Sequence, residues 1–222
     1  MRRDSALIFG QIDYINLLPF HVFMKRYIQS SQLSMSMHYK KGVPSKINND
    51  FSARRIDAAF ISSITAKKRR HISLGIVAKK SVRSVLVIPQ NEHQIDKASA
   101  SSNTLAQVLG LKGRVLIGDE ALRYFHKGGE FIDMAQIWNK RYSLPFVFAL
   151  LCFHTQKNSL KKIHKNFLRS KIKIPYYLLT QVSCKSRVSS SNILDYLELI
   201  SYDIDNKASL GLKKFWRLAQ KH

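Results

Sequence analysis

The sequence predicts an α/β protein with two lobes and a ligand cleft between them. Short apolar runs, typical of strands, alternate with segments whose apolar residues recur at helical spacing. Two apolar runs, 84–89 and 144–153, flank a middle segment of about sixty residues, as in a chain that crosses into a second lobe and returns. We therefore expect a mostly parallel sheet. The predicted lobes are 1–86 with 145–222 (lobe 1) and 87–144 (lobe 2).

The first half of the chain alternates strand and helix signals. Residues 6–12 predict a strand, and residues 17–29 predict a helix from their regular apolar spacing. Asn16 occupies the expected N-cap position, and Pro19 fits the first helical turn, where its missing N–H costs little. Residues 44–55 then predict a helix, and residues 57–64 and 84–89 predict buried strands.

The second half begins with a polar segment, 90–101, that predicts a loop. A capped helix follows and ends at Gly110, and the segment 113–122 predicts a strand before a turn at Gly118 and Asp119. Residues 132–138 predict a short helix, and residues 144–153 a long buried strand. The tail predicts helices at 159–170, 174–182, 191–201 and 209–220.

The charge balance limits the partners that we expect. The 222 residues include 37 Lys and Arg against 14 Asp and Glu, a formal net charge of +23, which favours anionic partners. The basic runs, such as residues 67–70, lack the regular aromatic interleaving of a nucleic-acid stacking surface. We interpret them as solvated faces and expect a small anionic ligand, with no nucleic acid as partner.

Cysteine and histidine usage predicts neither a metal nor a redox centre. Cys152 and Cys184 form no CxxC motif and lie in apolar surroundings, so we expect buried free thiols. The eight histidines show no metal-ligand spacing. The N-terminal apolar run is too short for a signal peptide, and no run approaches transmembrane length. We therefore expect a cytoplasmic protein with no membrane partner.

Polar clusters stand where predicted strands end or helices begin, which is where ligands bind in α/β sheets. Helix starts also offer unpaired N–H groups and partial positive charge, so two of them facing one cleft would bind two acidic groups without lysine. Each cluster also has a structural interpretation, as a helix cap or a strand end. The candidates are Tyr14, Asn16, Ser62, Ser63, Ser84, Ser102, Asn103, Thr104 and Asp119.

Several segments, taken in order, resemble one enzyme family. They include GQIDYINLLPF, FISSI, SSNTLAQVLG, VLIGDEAL and the tail segment YLELISYDIDNKASLGLKKFW, and matching segments run nearly end to end. In their order and spacing they resemble the chorismate dehydratases of the futalosine route to menaquinone. That menaquinone biosynthesis family has the two-lobed fold of type 2 periplasmic binding proteins, so the resemblance implies that fold.

The resemblance also implies a carbon–oxygen lyase, a hydro-lyase, without cofactor or metal. Chorismate would lose its ring hydroxyl and a neighbouring ring proton as water, giving 3-[(1-carboxyvinyl)oxy]benzoate. It implies that Asn16 is catalytic, orienting the substrate or hydrogen-bonding the departing hydroxyl, while it also caps the first helix. The other eight candidates would bind substrate, with Asp119 orienting its loop. The substrate's own enolpyruvyl carboxylate is the hypothesised proton acceptor.

Three alternatives remain open at this point. The sister enzyme that releases 1,4-dihydroxy-6-naphthoate shares the fold, but it opens with an SPCPND-like stretch instead of YINLLP and is a longer chain. A non-catalytic anion-binding protein of the same fold is the second alternative, and the missing export signal argues against transport. A nucleic-acid-binding module is the third, and strongly salt-dependent duplex binding would identify it.

Overall fold

The computed structural model describes residues 6–29, 37–92 and 94–221. Residues 1–5, which belong to the N-terminal segment considered as a signal peptide, lie outside these ranges, as do His93 and His222. Among the described residues, no helix is long and apolar enough to span a membrane.

Strands and helices alternate along most of the chain. The strands are β1 Leu7–Gln11, β2 Met37–Lys41, β3 Ala58–Ser62, β4 His71–Ala78, β5 Val85–Ile88, β6 Arg114–Ile117, β7 Ile132–Asp133, β8 Phe146–Phe153 and β9 Ile200–Asp203. The α-helices are α1 Leu18–Gln29, α2 Pro44–Ser52, α3 Ser63–Ala66, α4 Ala100–Leu109, α5 Gly118–Lys127, α6 Met134–Tyr142, α7 Lys157–Arg169, α8 Tyr176–Ser186, α9 Ser190–Leu197 and α10 Asn206–Leu218. A 3₁₀ turn, Ile15–Leu17, leads directly into α1.

The larger sheet has the strand order β2-β1-β3-β8-β4-β9. β1 pairs in parallel with β2 and β3, whereas β8 is antiparallel to both β3 and β4, and β9 is antiparallel to β4. The prediction of a mostly parallel sheet is therefore wrong. The reason is that β8 carries the chain back from the second lobe and enters the sheet in the opposite direction.

The smaller sheet has the order β6-β5-β7 and is antiparallel throughout. All four residues of β5 pair within it, so the predicted lobe boundary after residue 86 falls inside a strand. We place that division between β4 and β5 instead. The predicted return at residue 145 coincides with the loop between α6 and β8.

Four strands, β2, β4, β7 and β9, are not predicted from the sequence. β2 has one buried residue, Met37, and four polar or aromatic ones, so it lacks the apolar run of a core strand. β9 overlaps the end of the helix predicted at 191–201, β7 lies at the start of the helix predicted at 132–138, and the sequence predicts no element at β4. The missed strands are edge or irregular members of their sheets, since the pairing of β4 with both of its neighbours contains register shifts.

Aromatic packing joins the helices to the larger sheet. The ring of Phe20 in α1 lies 5.0 Å from Phe60 of β3 and 5.2 Å from Phe167 of α7, centroid to centroid. Near the smaller sheet, Phe146 of β8 packs against Trp138 of α6 and Phe215 of α10 at 5.2 Å and 4.8 Å. These contacts belong to one continuous apolar core, which fixes the strand ends that border the space between the sheets.

Candidate functional site

A small cavity of about 70 Å³ lies between the two sheets. Segments that precede or follow strands of both sheets border it, as expected for a ligand site in an α/β protein. Five of the nine predicted site residues line it: Tyr14, Asn16, Ser62, Ser84 and Ser102. Polar neighbours that were not predicted include Ser99, and the remaining lining is apolar, including Phe60, Ile76, Ile117 and Phe148.

Asn16 lies in the 3₁₀ turn rather than at a helix cap. Tyr14 is the capping residue of this turn, and its carbonyl accepts the N–H of Leu17 at 3.0 Å. The prediction that Asn16 caps the first helix is therefore wrong, because the cap lies two residues earlier and uses the backbone. This leaves the side chain of Asn16 available to line the cavity.

Two tyrosines from the tail of the chain hold Asn16 in place. The hydroxyl of Tyr202 donates to the Asn16 carbonyl at 2.6 Å. The phenol of Tyr196 hydrogen-bonds the Asn16 side chain and also lies 2.8 Å from the Oγ of Ser84. Burial raises the pKa of both tyrosines above the ordinary value, so both stay protonated and able to donate.

Ser62 ends β3 and is oriented by Asn48 of α2. The Asn48 amide donates to Ser62 Oγ at 3.0 Å and accepts the Ser62 N–H at 3.2 Å. Ser63 points elsewhere: its Oγ lies 3.1 Å from the Oγ of Ser101, which also accepts the N–H of Ile64. Ser63 therefore does not line the cavity, since adjacent residues at a strand–helix junction face different directions.

The second lobe contributes the start of α4. Ser99 is its N-cap: its Oγ accepts the Ser102 N–H at 3.2 Å and donates to the Ser102 Oγ at 2.7 Å. Asn103 instead forms two hydrogen bonds with the backbone of Asp96, and Thr104 donates to the carbonyl of Ala100. These bonds fix the preceding loop and the helix itself, and neither Asn103 nor Thr104 lines the cavity.

Gly118 and Asp119 begin α5 instead of forming the predicted turn. Gly118 has φ +61°, and its N–H donates to the Ser84 carbonyl at 2.8 Å. The ring of Tyr14 covers this glycine so closely that an added Cβ would lie 3.1 Å from its Cζ. Asp119 lies outside the cavity, where its Oδ1 accepts the Ile15 N–H at 3.4 Å.

No charged side chain lines the cavity among the residues that the structure describes. Helices α4 and α5 begin at the cavity, and α1 does so through its 3₁₀ turn, so their N-terminal ends favour negative charge there. Burial raises the pKa of Tyr14 to about 12, with a smaller contribution from the carboxylates of Asp96, Asp119 and Glu120. The cavity thus offers neutral hydroxyl, amide and backbone groups and no strong base.

A larger groove of about 590 Å³ lies on the other side of Tyr14. We call this space the groove; α1, α8 and the ends of β1 and β2 form its sides. Asp13 lies in it within 4.0 Å of Lys41 and 3.6 Å of Lys185, and Lys25 and Asp119 also line it. Tyr14 is the residue shared by the cavity and the groove.

The described residues do not provide a metal site. Within 6–29, 37–92 and 94–221, no three His, Cys, Asp or Glu side chains lie close enough together to hold a metal ion. Both cysteines are free thiols, and Cys152 is buried as predicted, but the prediction of burial is wrong for Cys184, which is exposed on α8. The chemistry available at the cavity is therefore hydrogen bonding and the positioning of an anionic ligand.

Comparisons with known proteins identify the family of the chain. Residues 7–112 and 98–221 match the family described as menaquinone biosynthesis. A chorismate dehydratase from Campylobacter jejuni subsp. jejuni serotype O:23/36 (strain 81-176) is 45% identical over 213 residues, which cover 94% of this chain and 96% of the relative.

Solved structures similar to this chain are remote in sequence and establish the fold alone. A protein from Archaeoglobus fulgidus superposes with a TM-score of 0.77 at 13% identity, covering 100% of this chain and 98% of that one. The periplasmic aliphatic sulphonate binding protein from Escherichia coli gives 0.57 at 14% identity, covering 98% and 92%. The predicted fold class, a two-lobed α/β fold like that of type 2 periplasmic binding proteins, is confirmed.

Proposed function

The chain belongs to the menaquinone biosynthesis family, and we propose on this basis that it is a chorismate dehydratase. The observation that carries the proposal is the likeness to the Campylobacter jejuni chorismate dehydratase over nearly the whole length of both chains. The uncharged cavity between the lobes supports it, because the cavity is lined with hydrogen-bonding groups where several helices begin.

The proposed reaction is a 1,2-elimination from the ring of chorismate. The C–O bond of the ring hydroxyl breaks, and the hydroxyl leaves with a proton as water. The neighbouring ring C–H bond breaks, and its electron pair becomes the new ring double bond. The product, 3-[(1-carboxyvinyl)oxy]benzoate, keeps the ether, and its aromatic ring supplies the driving force. The electrons balance without an oxidant or reductant.

Asn16 is the residue that we propose for the catalytic role. Its amide cannot abstract a proton, but it can donate a hydrogen bond to the departing hydroxyl or orient the ring. The two tyrosines that contact Asn16 restrict its side chain and its backbone, so its hydrogen bonds are directed before substrate arrives. Such preorganisation costs no rearrangement during the reaction.

The dianionic substrate would be bound by neutral donors. Ser62, Ser84, Ser99 and Ser102 present hydroxyl groups, and the starts of α4 and α5 add backbone N–H groups and partial positive charge. An arrangement without lysine avoids a flexible ammonium group next to the reacting ring. Tyr14, protonated because its pKa is raised to about 12, adds a phenol from the first lobe.

The proton acceptor that we propose is the enolpyruvyl carboxylate of chorismate itself. Within the part of the chain that the structure describes, the cavity lining contains no carboxylate, histidine or lysine that could take the ring proton. A carboxylate tethered to the ring reaches the neighbouring C–H in an intramolecular step, which benefits from high effective concentration. The cavity would then select the conformation in which this carboxylate lies over the ring proton.

The test is to incubate the purified protein with chorismate and follow the product by mass spectrometry. We expect a product lighter than chorismate by one water, with the enolpyruvyl ether retained. Chorismate should also raise the melting temperature of the protein, whereas duplex DNA should not. Thermal protection without any product would instead identify a non-catalytic anion-binding protein. The absence of both product and thermal protection would refute the proposal.

A further inference from the structure

The cavity is small for the ligand proposed for it. Small-molecule sites usually enclose about 300–1,000 Å³, whereas this cavity measures about 70 Å³. The groove on the other side of Tyr14 measures about 590 Å³, and both spaces are partly open to solvent. The cavity must therefore expand to bind this ligand. It can gain the necessary volume by joining the adjoining groove.

A thin partition separates the two spaces. The ring of Tyr14 lies over Gly118, and the Ile15 N–H reaches Asp119 Oδ1 at 3.4 Å, which is long for a hydrogen bond. Asn16 and Gly118 face the cavity, while their neighbours Ile15 and Asp119 face the groove. One segment comes from each lobe, so a separation of the lobes here would open the partition by moving one ring and breaking two contacts. These are the Ile15–Asp119 contact and the 2.8 Å hydrogen bond from Arg123 of α5 to the Ser186 carbonyl of α8.

The groove has the charge that the cavity lacks. Lys25 lies on α1, Lys41 ends β2 and Lys185 lies near the end of α8, so three separate elements bring a cation to it. Asp13 neutralises part of this charge through its contacts with Lys41 and Lys185. The floor between them is apolar, with Leu18 and Val22 from α1 and Leu178 and Val182 from α8.

We propose that the groove is the vestibule through which the dianionic substrate enters, and that the contact of Tyr14 and Ile15 with the start of α5 is its gate. This inference rests on the proposed function. The lysines attract the dianion and raise its local concentration, and the apolar floor accommodates its ring. The substrate then passes Tyr14 into the uncharged cavity, where the reaction occurs.

The first test reverses the charge of the vestibule. The triple variant Lys25→Glu, Lys41→Glu and Lys185→Glu should lower kcat/KM for chorismate about tenfold at low salt, with a much smaller change in kcat. Raising the salt from about 0.02 M to about 0.5 M should remove most of this difference, because exposed charges are then screened. Steady-state rates of product formation give both values.

The matched control is Lys161→Glu, Lys165→Glu and Lys207→Glu, which changes the net charge equally on exposed faces of α7 and α10. It should retain a kcat/KM within about twofold of wild type, since steering depends on local charge. Equal losses in both triple variants would overturn the inference, because they would assign the effect to the net charge of the protein.

Two further variants test the direction of the effect and the route. Asp13→Asn should raise kcat/KM about twofold at low salt, since it removes the negative charge beside Lys41 and Lys185.

Gln181→Trp places a bulky side chain on the exposed α8 side of the groove and should lower kcat/KM about tenfold at both salt concentrations, because it obstructs the proposed entrance. Circular dichroism melting curves would verify that each variant folds.

The outcome separates the two proposals. Wild-type protein that does not dehydrate chorismate refutes the proposed function before the variants are compared. Wild-type activity combined with unchanged kcat/KM in the Gln181→Trp and triple groove variants refutes the vestibule alone. The substrate would then enter between the lobes on the side away from Tyr14.

Discussion

The cavity and the groove lie on opposite sides of one tyrosine and differ in almost every physical property. The cavity is small and lined by neutral polar and apolar groups, whereas the groove is large and bordered by three lysines and two aspartates. Hydrogen bonds fix the polar groups of the cavity: Ser99 bonds Ser102, Ser62 bonds Asn48, and Ser84 bonds Tyr196. The lysines that pair with Asp13 extend into solvent, with side chains 66% and 71% exposed.

The difference follows from the cost of burying charge. A lysine enclosed beside the reacting ring would lose its hydration, whereas a solvated lysine outside keeps it and still attracts anions at a distance. Neutral donors on buried, packed elements can be positioned more accurately than long cationic side chains. The molecule therefore separates long-range attraction, which needs charge, from short-range recognition, which needs geometry.

Removing the Asn16 amide is the change expected to have the largest effect on the cavity side. Asn16→Ala should lower kcat for chorismate about 100-fold or more, because the amide is the group proposed to act on the departing hydroxyl. The fold should persist, since the Asn16 carbonyl that accepts from Tyr202 belongs to the backbone. Rates of product formation and a thermal melting curve measure the two quantities.

The control for this variant is Asn166→Ala, which removes an exposed amide on α7 that lines neither the cavity nor the groove. It should have wild-type kcat. A wild-type rate for Asn16→Ala itself would contradict the assignment and leave Asn16 with only its structural contacts to the tail of the chain.

Tyr196→Phe tests whether Asn16 is positioned by its neighbours, and its expected effect is smaller. The variant removes the hydroxyl that contacts Asn16 and Ser84, so kcat should fall about tenfold through misplacement of the amide. The free energy of unfolding should fall by about 1–3 kcal/mol, because Ser84 and Asn16 both lose a buried hydrogen-bond partner. Chemical denaturation and steady-state kinetics measure these two changes.

A double-mutant cycle separates positioning from general loosening of the cavity. If Tyr196 acts through Asn16, Tyr196→Phe should have almost no further effect on kcat when Asn16 is already alanine. The same tenfold loss in both backgrounds would show that Tyr196 acts independently of Asn16.

The sequence predicted the part of the cavity that is built from local signals. Tyr14, Asn16, Ser62 and Ser84 stand next to strands, and a strand end can be recognised from the apolar run beside it. Ser63 follows Ser62, which lines the cavity, but neighbouring side chains diverge, and a one-residue difference decides whether a group faces the cavity. Local pattern locates a site along the chain more accurately than it locates the direction of each side chain.

The rest of the site depends on contacts between residues that are distant in sequence. Tyr202 reaches Asn16 across 186 positions, and Tyr196 reaches Ser84 across 112, so no spacing rule could have indicated either contact. The direction of β8 was missed for the same reason, since it is set by the chain's return from the other lobe. The groove, formed by α1 and α8, likewise has no counterpart in a single motif.

Asp119→Asn tests the groove side of the partition and should have the smallest effect, one that depends on pH. Burial raises the pKa of Asp119 in the folded protein, against the opposing influence of the Ile15 N–H, Arg123 and Lys185. A carboxyl with a raised folded pKa stabilises the protein fully below its unfolded pKa, which is about 3.9, and loses this contribution as the pH rises through the folded value. Relative to Asp119→Asn, the wild type should therefore become less stable as the pH rises above about 4.

Urea denaturation at several pH values measures this difference, and Asp195→Asn, on an exposed side of α9, controls for the change in net charge. A wild-type protein that instead gains stability over this range relative to Asp119→Asn would mean that the hydrogen bond and the two cations outweigh burial, and that the partition is closed more firmly than its 3.4 Å contact indicates.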